Sequence, residues 1–182
     1  MSKDEQQPGI ICTVGHSTHP LETFVLMLHS FNIATLVDVR SFPGSRRYPQ
    51  FNKAELELSM PLNNIEYFHL KELGGRRKPS ADSKNTRWRH PAFRAYADYM
   101  ASEDFDLALR QLEAVAKEKR VAYMCSEAVW WRCHRGLISD ALKNKGWEVV
   151  HIMAINKGQE HPYTSAAVIQ NAQLSYADET LL

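Results

Sequence analysis

The chain has 182 residues, 44% of them hydrophobic, and a formal net charge of +1. That length supports one well-buried core and is short for two, and the near-neutral charge excludes attraction to membranes or nucleic acid by bulk charge alone. Three cysteines, odd in number and without dense spacing, exclude a secreted disulfide framework, and no apolar run approaches the roughly 20 residues that span a bilayer. The polar N-terminus, Met1 to Gln7, lacks the apolar core of a signal peptide, so a cytoplasmic protein with reduced thiols and no membrane partner is expected.

The elements alternate along the chain. Ile10 to Val14 is a short apolar run ending at Gly15, and Pro20 to Phe31 places Leu21, Phe24, Val25, Leu28 and Phe31 at helical spacing. Ile33 to Val39 is apolar and β-branched up to Asp38, as a strand buried on both faces would be. Asn52, with Glu55 three residues on, predicts a capped helix start. Ile65 to Leu70 follows as a strand, then helices over Pro91 to Met100 and Asp104 to Lys119, the second with Phe105, Leu109, Leu112 and Ala116 on one face. Val121 to Cys125 predicts a strand, His134 to Lys145 a helix closed by Gly146, and Trp147 to Met153 a last strand. This alternation predicts a three-layer α/β fold, a mainly parallel sheet with helices on both faces. The expected organisation is a flexible N-terminus over 1–9, one α/β domain over 10–155, and a tail or strap over 156–182.

In such sheets ligands bind beyond the carboxyl ends of the strands, so the loops after the strands are the ones to compare. Residues 38 to 94 carry twelve Lys and Arg against six Asp and Glu, which gives part of the surface a basic character. The loop after the fourth strand is the richest: Cys125, Glu127, Arg132, Cys133, His134 and Arg135 offer a nucleophile, proton carriers and anion-binding groups at a strand-to-helix junction. The candidate catalytic residues are therefore Cys125, Glu127, Cys133 and His134. The candidate substrate-binding residues, from this loop and its neighbours, are His16, Ser17, Arg40, Arg46, Arg76, Arg132 and Arg135.

Several of these residues carry a resemblance. Thr13-Val14-Gly15-His16-Ser17, Val37-Asp38-Val39-Arg40 with Pro43 and Arg46, Leu73-Gly74-Gly75, and Cys125-x-Glu127 with Cys133-His134-Arg135 resemble the domain of unknown function 488 family, over roughly residues 10 to 153. The resemblance implies a compact α/β domain with a shared Cys/His/Arg cluster, and names no reaction. In plan, Val37-Asp38-Val39-Arg40 and the strand ending in Cys125 are also similar to rhodanese-like sulfurtransferase and phosphatase domains, where a strand-end thiolate sits among backbone N–H groups that hold an anionic sulfur or phosphate.

The expected function is a cysteine-dependent enzyme, a transferase or hydrolase, acting on an anionic sulfur- or phosphate-containing substrate in a Cys/His/Arg-lined cleft. Cys125 would act as nucleophile or ligand, His134 or Glu127 would move protons, and Arg132, Arg135 and Arg40 would hold the anion. Two alternatives stand beside it. One is binding of a nucleotide or nucleic acid, without thiol chemistry, by the basic and aromatic loop 76–94. The other is a metal site at Cys125, Cys133 and His134, although Cys-x7-Cys-His is not a structural zinc spacing. Cys125 and Cys133 as a redox pair also remain open, and the residues name no cofactor.

Overall fold

A computed structural model describes residues 9–178; the expected flexible stretch 1–9 lies outside the described residues apart from Gly9. The chain runs β1 (Ile10–Gly15), α1 (Leu21–Ser30), β2 (Thr35–Asp38), α2 (Lys53–Leu62), β3 (Glu66–His69), α3 (Pro91–Tyr99), α4 (Glu103–Glu118), β4 (Val121–Cys125), α5 (Arg135–Asn144), β5 (Glu148–Ala154), β6 (Lys157–Glu160), β7 (Val168–Gln170) and β8 (Gln173–Ser175). Strands β1 to β6 form one sheet in the order β3-β2-β4-β1-β5-β6. All of its pairings are parallel except that of β6 with β5.

The two-residue period of the strands builds both layers of core. Ile11, Val37, Val121 and Tyr123 face α3, α4 and α5, where they meet Tyr96, Phe105, Leu109, Leu112, Leu137 and Leu142. Their neighbours Cys12, Leu36, Ala122 and Met124 face the other way, onto Phe24 and Leu28 of α1 and Leu56 and Met60 of α2. Helices thus cover both faces of a mainly parallel sheet, the three-layer α/β fold that the alternation implies. Among the described residues no helix is long and apolar enough to cross a membrane.

Local chemistry sets several boundaries. Ser102 caps α4, its hydroxyl accepting from the Phe105 N–H at 3.3 Å, so the helix begins just before the expected Asp104. Asn52 occupies the N-cap position of α2 but makes no side-chain cap. Its Oδ1 accepts from Ser45 N–H at 2.5 Å instead, which spends the expected cap on fastening the loop after β2. Gly146 ends α5 at φ 94°, a conformation that side chains disfavour. Beyond β5 the chain turns at Asn156, φ 56°, and adds β6 to the sheet edge. The β7–β8 hairpin then turns at Asn171 and Ala172, both with positive φ.

The strand order also fixes where loops diverge. From β1 the chain crosses to β2 on one side, whereas from β4 it crosses β1 to reach β5 on the other. The carboxyl ends of adjacent β1 and β4, at Gly15 and Cys125, therefore flank a crevice of the kind that holds ligands in open α/β sheets.

Candidate functional site

The crevice is built from backbone outward. The β1–β4 ladder continues past the strands, with His16 N–H donating to the Cys125 carbonyl and Ser17 N–H to the Ser126 carbonyl, each at 3.0 Å. Ser17 adopts φ 47° to leave the ladder. A side chain at Gly15 would put its Cβ 1.8 Å from the Glu127 carbonyl oxygen, so only glycine lets the two loops meet there. After Cys125 the chain loops outward, makes a 3-10 turn over Trp130–Arg132, and returns extended at Cys133 before α5 begins.

That return brings Cys133 Sγ to 2.6 Å from Cys125 Sγ, and both are free thiols. Beneath them lies Arg135, 1% exposed. Its Nε donates to Cys125 Sγ at 2.9 Å, Nη1 to Thr13 Oγ1 at 3.0 Å and Nη2 to the Glu127 carbonyl at 2.7 Å. Its backbone N–H also points at Cys133 Sγ, at 3.5 Å. Burial works against the guanidinium charge, and the two cysteines outweigh it and hold the group firmly protonated.

The thiols respond unequally. Burial pushes both up. For Cys133, the hydrogen bond from Cys125 and the charge and N–H groups of Arg135 outweigh burial and bring it down to about 7. Cys125 is held well above the usual thiol value by burial and by the hydrogen bond and charge of Cys133. The two thiols titrate as one coupled pair, in which Cys133 is the one brought down and gives up its proton before Cys125.

His134 stands beside them. Its Nε2–H donates to the Val39 carbonyl at 3.0 Å, because a carbonyl can only accept, and this leaves Nδ1 unprotonated 3.5 Å from Cys133 Sγ. Burial lowers its pKa, favouring the neutral ring. Gly75 makes the ring's place: a Cβ there would lie 2.6 Å from Nδ1.

On the opposite wall, Arg40 lies against Asp38, with Nε to Oδ1 at 2.8 Å and Nη2 to Oδ2 at 2.5 Å, and Nη2 also reaches the Phe51 carbonyl. Tyr67 donates to the same carboxylate at 2.8 Å, so Asp38 is a buried hub. Much of the Arg40 charge is therefore already compensated. Its Nη1 donates to His16 Nε2 at 3.2 Å, while His16 Nδ1–H donates to the Ser17 carbonyl at 2.9 Å. Burial and then the Arg40 charge lower His16 to about 4, so its ring, stacked on Phe51, stays neutral near pH 7.

These groups open onto a cleft of about 790 Å³, within the range of small-molecule sites. Of the residues named from sequence, Cys125, Glu127, Cys133, His134, His16, Arg40, Arg76 and Arg132 line it. Arg135 lies under the thiols and not in the wall; Arg46 and Ser17 are also outside the lining. Sequence reasoning did not single out Phe42 or Tyr48, which also line the cleft; His90 and Phe93, from the stretch 76–94 set apart as an alternative binding surface, line it too. Nor did it assign Gly75 and Thr13 their parts, although the Gly74-Gly75 pair and the position of Thr13 two residues before Gly15 are visible signals.

The basic and aromatic stretch 76–94 is divided: Arg76, Lys78, Lys84, Arg89 and His90 are exposed, whereas other groups are held in internal contacts. Arg77 stacks on Tyr99 at 3.3 Å and donates to the carbonyls of Gly74 and Glu72. Arg87 donates to the Ala166 carbonyl and Arg94 to that of Trp88, while Trp88 packs on Phe93 and Tyr176. A stacking platform for bases needs such groups free. Among the described residues, no group of three or more His, Cys, Asp or Glu side chains is arranged to hold a metal ion. The sulfurs face each other and Arg135, a cation, occupies the space behind them.

Fold and site together define an α/β domain with a paired-thiol and arginine cluster at the carboxyl end of a parallel sheet. The chain belongs to the family described as Domain of unknown function DUF488, whose profile matches residues 20–142. Comparison with curated proteins and with solved structures found no match. The rhodanese-like similarity therefore rests on plan alone, and the loop after Cys125 departs from it: the Arg135 guanidinium, not a ring of backbone N–H groups, lies against the strand-end sulfur.

Proposed function

We propose that the protein is a cysteine-dependent enzyme of the transferase or hydrolase class, acting on an anionic sulfur- or phosphate-containing small molecule. The observation that carries this reading is the contact of two free thiols over a buried guanidinium at the floor of a cleft. The sequence points first to Cys125; the electrostatics favour Cys133 as the nucleophile, because it is the thiol brought down, by the hydrogen bond from Cys125 and by the charge and backbone N–H of Arg135. In the reaction, Cys133 Sγ forms a bond to the electrophilic sulfur or phosphorus. The bond to the leaving group breaks, and the leaving group departs with the electron pair. His134 Nδ1 takes the proton of Cys133 when it is a thiol and returns it to the leaving group. Arg76 and Arg132, exposed on the cleft wall, attract the anion, and Glu127 stands on the same wall as a second proton carrier. This reading needs the thiols reduced, and so a reducing compartment, the cytoplasm.

The test is protection. Inorganic thiosulfate or inorganic phosphate is expected to slow alkylation of Cys133 saturably, and Arg76→Ala or Arg132→Ala to weaken that protection by about fivefold. An alkylation rate indifferent to both anions would overturn the reading.

A further inference from the structure

We propose that Cys125 is the resolving thiol of a dithiol–disulfide cycle, and that the substrates of the site are anionic organic disulfides cleaved by two-electron reduction. This rests on the reading of Cys133 as the thiolate nucleophile, narrows its electrophile from sulfur or phosphorus to sulfur, and makes the net reaction a reduction in place of group transfer or hydrolysis.

Three observations carry it. The first is the placement of the second thiol. A phosphoryl group on Cys133 would be released by water and would gain nothing from a neighbouring sulfhydryl, whereas a sulfur adduct on Cys133 is open to attack by a thiol already in contact with it. The second is that Cys12 cannot take this part: it is fully buried within β1, in the core on the α1 and α2 face of the sheet, and is not among the residues that line the cleft. The third is the position of Arg135. Its Nε holds Cys125 Sγ at 2.9 Å. In the resting pair that charge is shared with the Cys133 thiolate. Once Cys133 is spent in an adduct its negative charge is gone, and Arg135 then faces Cys125 alone and favours its thiolate. The site thus activates its two sulfurs in order.

The cleft fits the substrate class. Its volume of about 790 Å³ far exceeds what an inorganic anion needs, and exposed Phe42 and Arg76 stack on its wall at 5.3 Å, an apolar surface beside a positive charge. An organic group with a carboxylate suits that wall.

The steps balance. The Cys133 thiolate attacks one sulfur of the substrate; the Cys133–sulfur bond forms, the substrate S–S bond breaks, and one half leaves as a thiolate. Cys125 loses its proton to that leaving half and attacks Cys133 Sγ. The Cys125–Cys133 bond forms, and the second half leaves with the electron pair. The protein pair is oxidised, the substrate leaves as one thiol, carrying the proton that the pair held, and one thiolate, and an external dithiol supplies two electrons and one proton to restore the pair and releases its second proton to water.

The experiment uses the whole chain and the anionic aryl disulfide dithiobis-nitrobenzoate. Wild-type protein is expected to release both aryl thiolates, lose two hydrogen masses, and yield a linked pair of tryptic peptides carrying Cys125 and Cys133. Cys125→Ser should release one aryl thiolate and keep the other aryl group on Cys133. If wild-type protein instead keeps a stable aryl adduct on Cys133, the dithiol cycle is wrong while the thiolate reading stands. If neither cysteine reacts, the thiolate reading falls as well. The wild-type arm decides between these outcomes even where the variant does not fold.

Discussion

Helix α5 carries two buried polar clusters, one in its first turn at Arg135 and one a little over a turn later at Asp140, and they differ in what they leave open. Asp140 accepts from His161 Nε2–H at 2.9 Å, Thr164 N–H at 2.8 Å, Thr164 Oγ1–H at 2.5 Å and Tyr176 O–H at 2.8 Å. Every donor comes from the chain that follows β6, so this carboxylate fastens residues 161–176 to the domain. The network runs on through His161 Nδ1 to His151 Nε2 at 2.9 Å, where Trp130 stacks on the His151 ring. Burial and the neighbouring His161 hold His151 neutral. The Arg135 cluster is as deeply buried, but its partners are two sulfurs that reach a cleft. A closed cluster of hydrogen bonds stabilises; one whose charge ends on a reachable thiol is equipped for chemistry. Trp130 belongs to the thiol loop and packs on the Asp140 cluster, which makes the separation of the two testable.

The largest effect is expected at the nucleophile. Cys133→Ser should lower any turnover by at least about 10⁴-fold, in steady-state kinetics once a substrate is identified. The same substitution should leave the urea unfolding midpoint nearly unmoved. Next is Asp140→Ala, which leaves four donors without their acceptor and should cost about 3–5 kcal/mol in urea unfolding. It should not move the pH midpoint of Cys133 alkylation; a midpoint that moves with it would join the clusters into one unit through Trp130. Third, Arg135→Gln removes the charge that opposes burial of the Cys133 thiolate, so the midpoint should rise from about 7 toward the reference thiol value of about 8.5. The sign follows from the direction of the shift: a lowered thiol pKa keeps thiolate present down to about 7, and raising it reduces the thiolate fraction at neutral pH. Smallest is Gly75→Ala, whose Cβ displaces the His134 ring; Cys133 alkylation at pH 7 should slow by about fivefold, with the fold retained, as read by circular dichroism.

Much of the frame was legible in the chain. The apolar runs ending at Gly15, Asp38 and Cys125 become β1, β2 and β4, because parallel strands covered on both faces leave no polar alternation to mislead. Cys125 stands at a strand end where sequence reasoning set it. The return of Cys133 onto Cys125 was one of several possibilities the sequence left open, because it depends on a 3-10 turn and a three-dimensional close approach rather than on spacing. Arg135 was expected as an anion ligand facing the cleft; its position in the first turn of α5 turns it inward onto Cys125 and Thr13. Strand β6 escaped notice because Lys157–Glu160 is polar and exposed throughout, with pairing to β5 as its only reason to be extended. The Asp140 cluster draws on residues up to 36 positions apart in sequence, and no local pattern announces it.

The most direct measurement is the alkylation rate of each cysteine against pH in the native protein, resolved by mass spectrometry, with Cys12 as internal reference. Burial raises the Cys12 thiol to about 11, so it should stay silent through the neutral range. The account predicts that Cys133 reacts fast with a midpoint near 7. A Cys133 midpoint at or above about 8.5, or a rate as slow as that of Cys12, would contradict it.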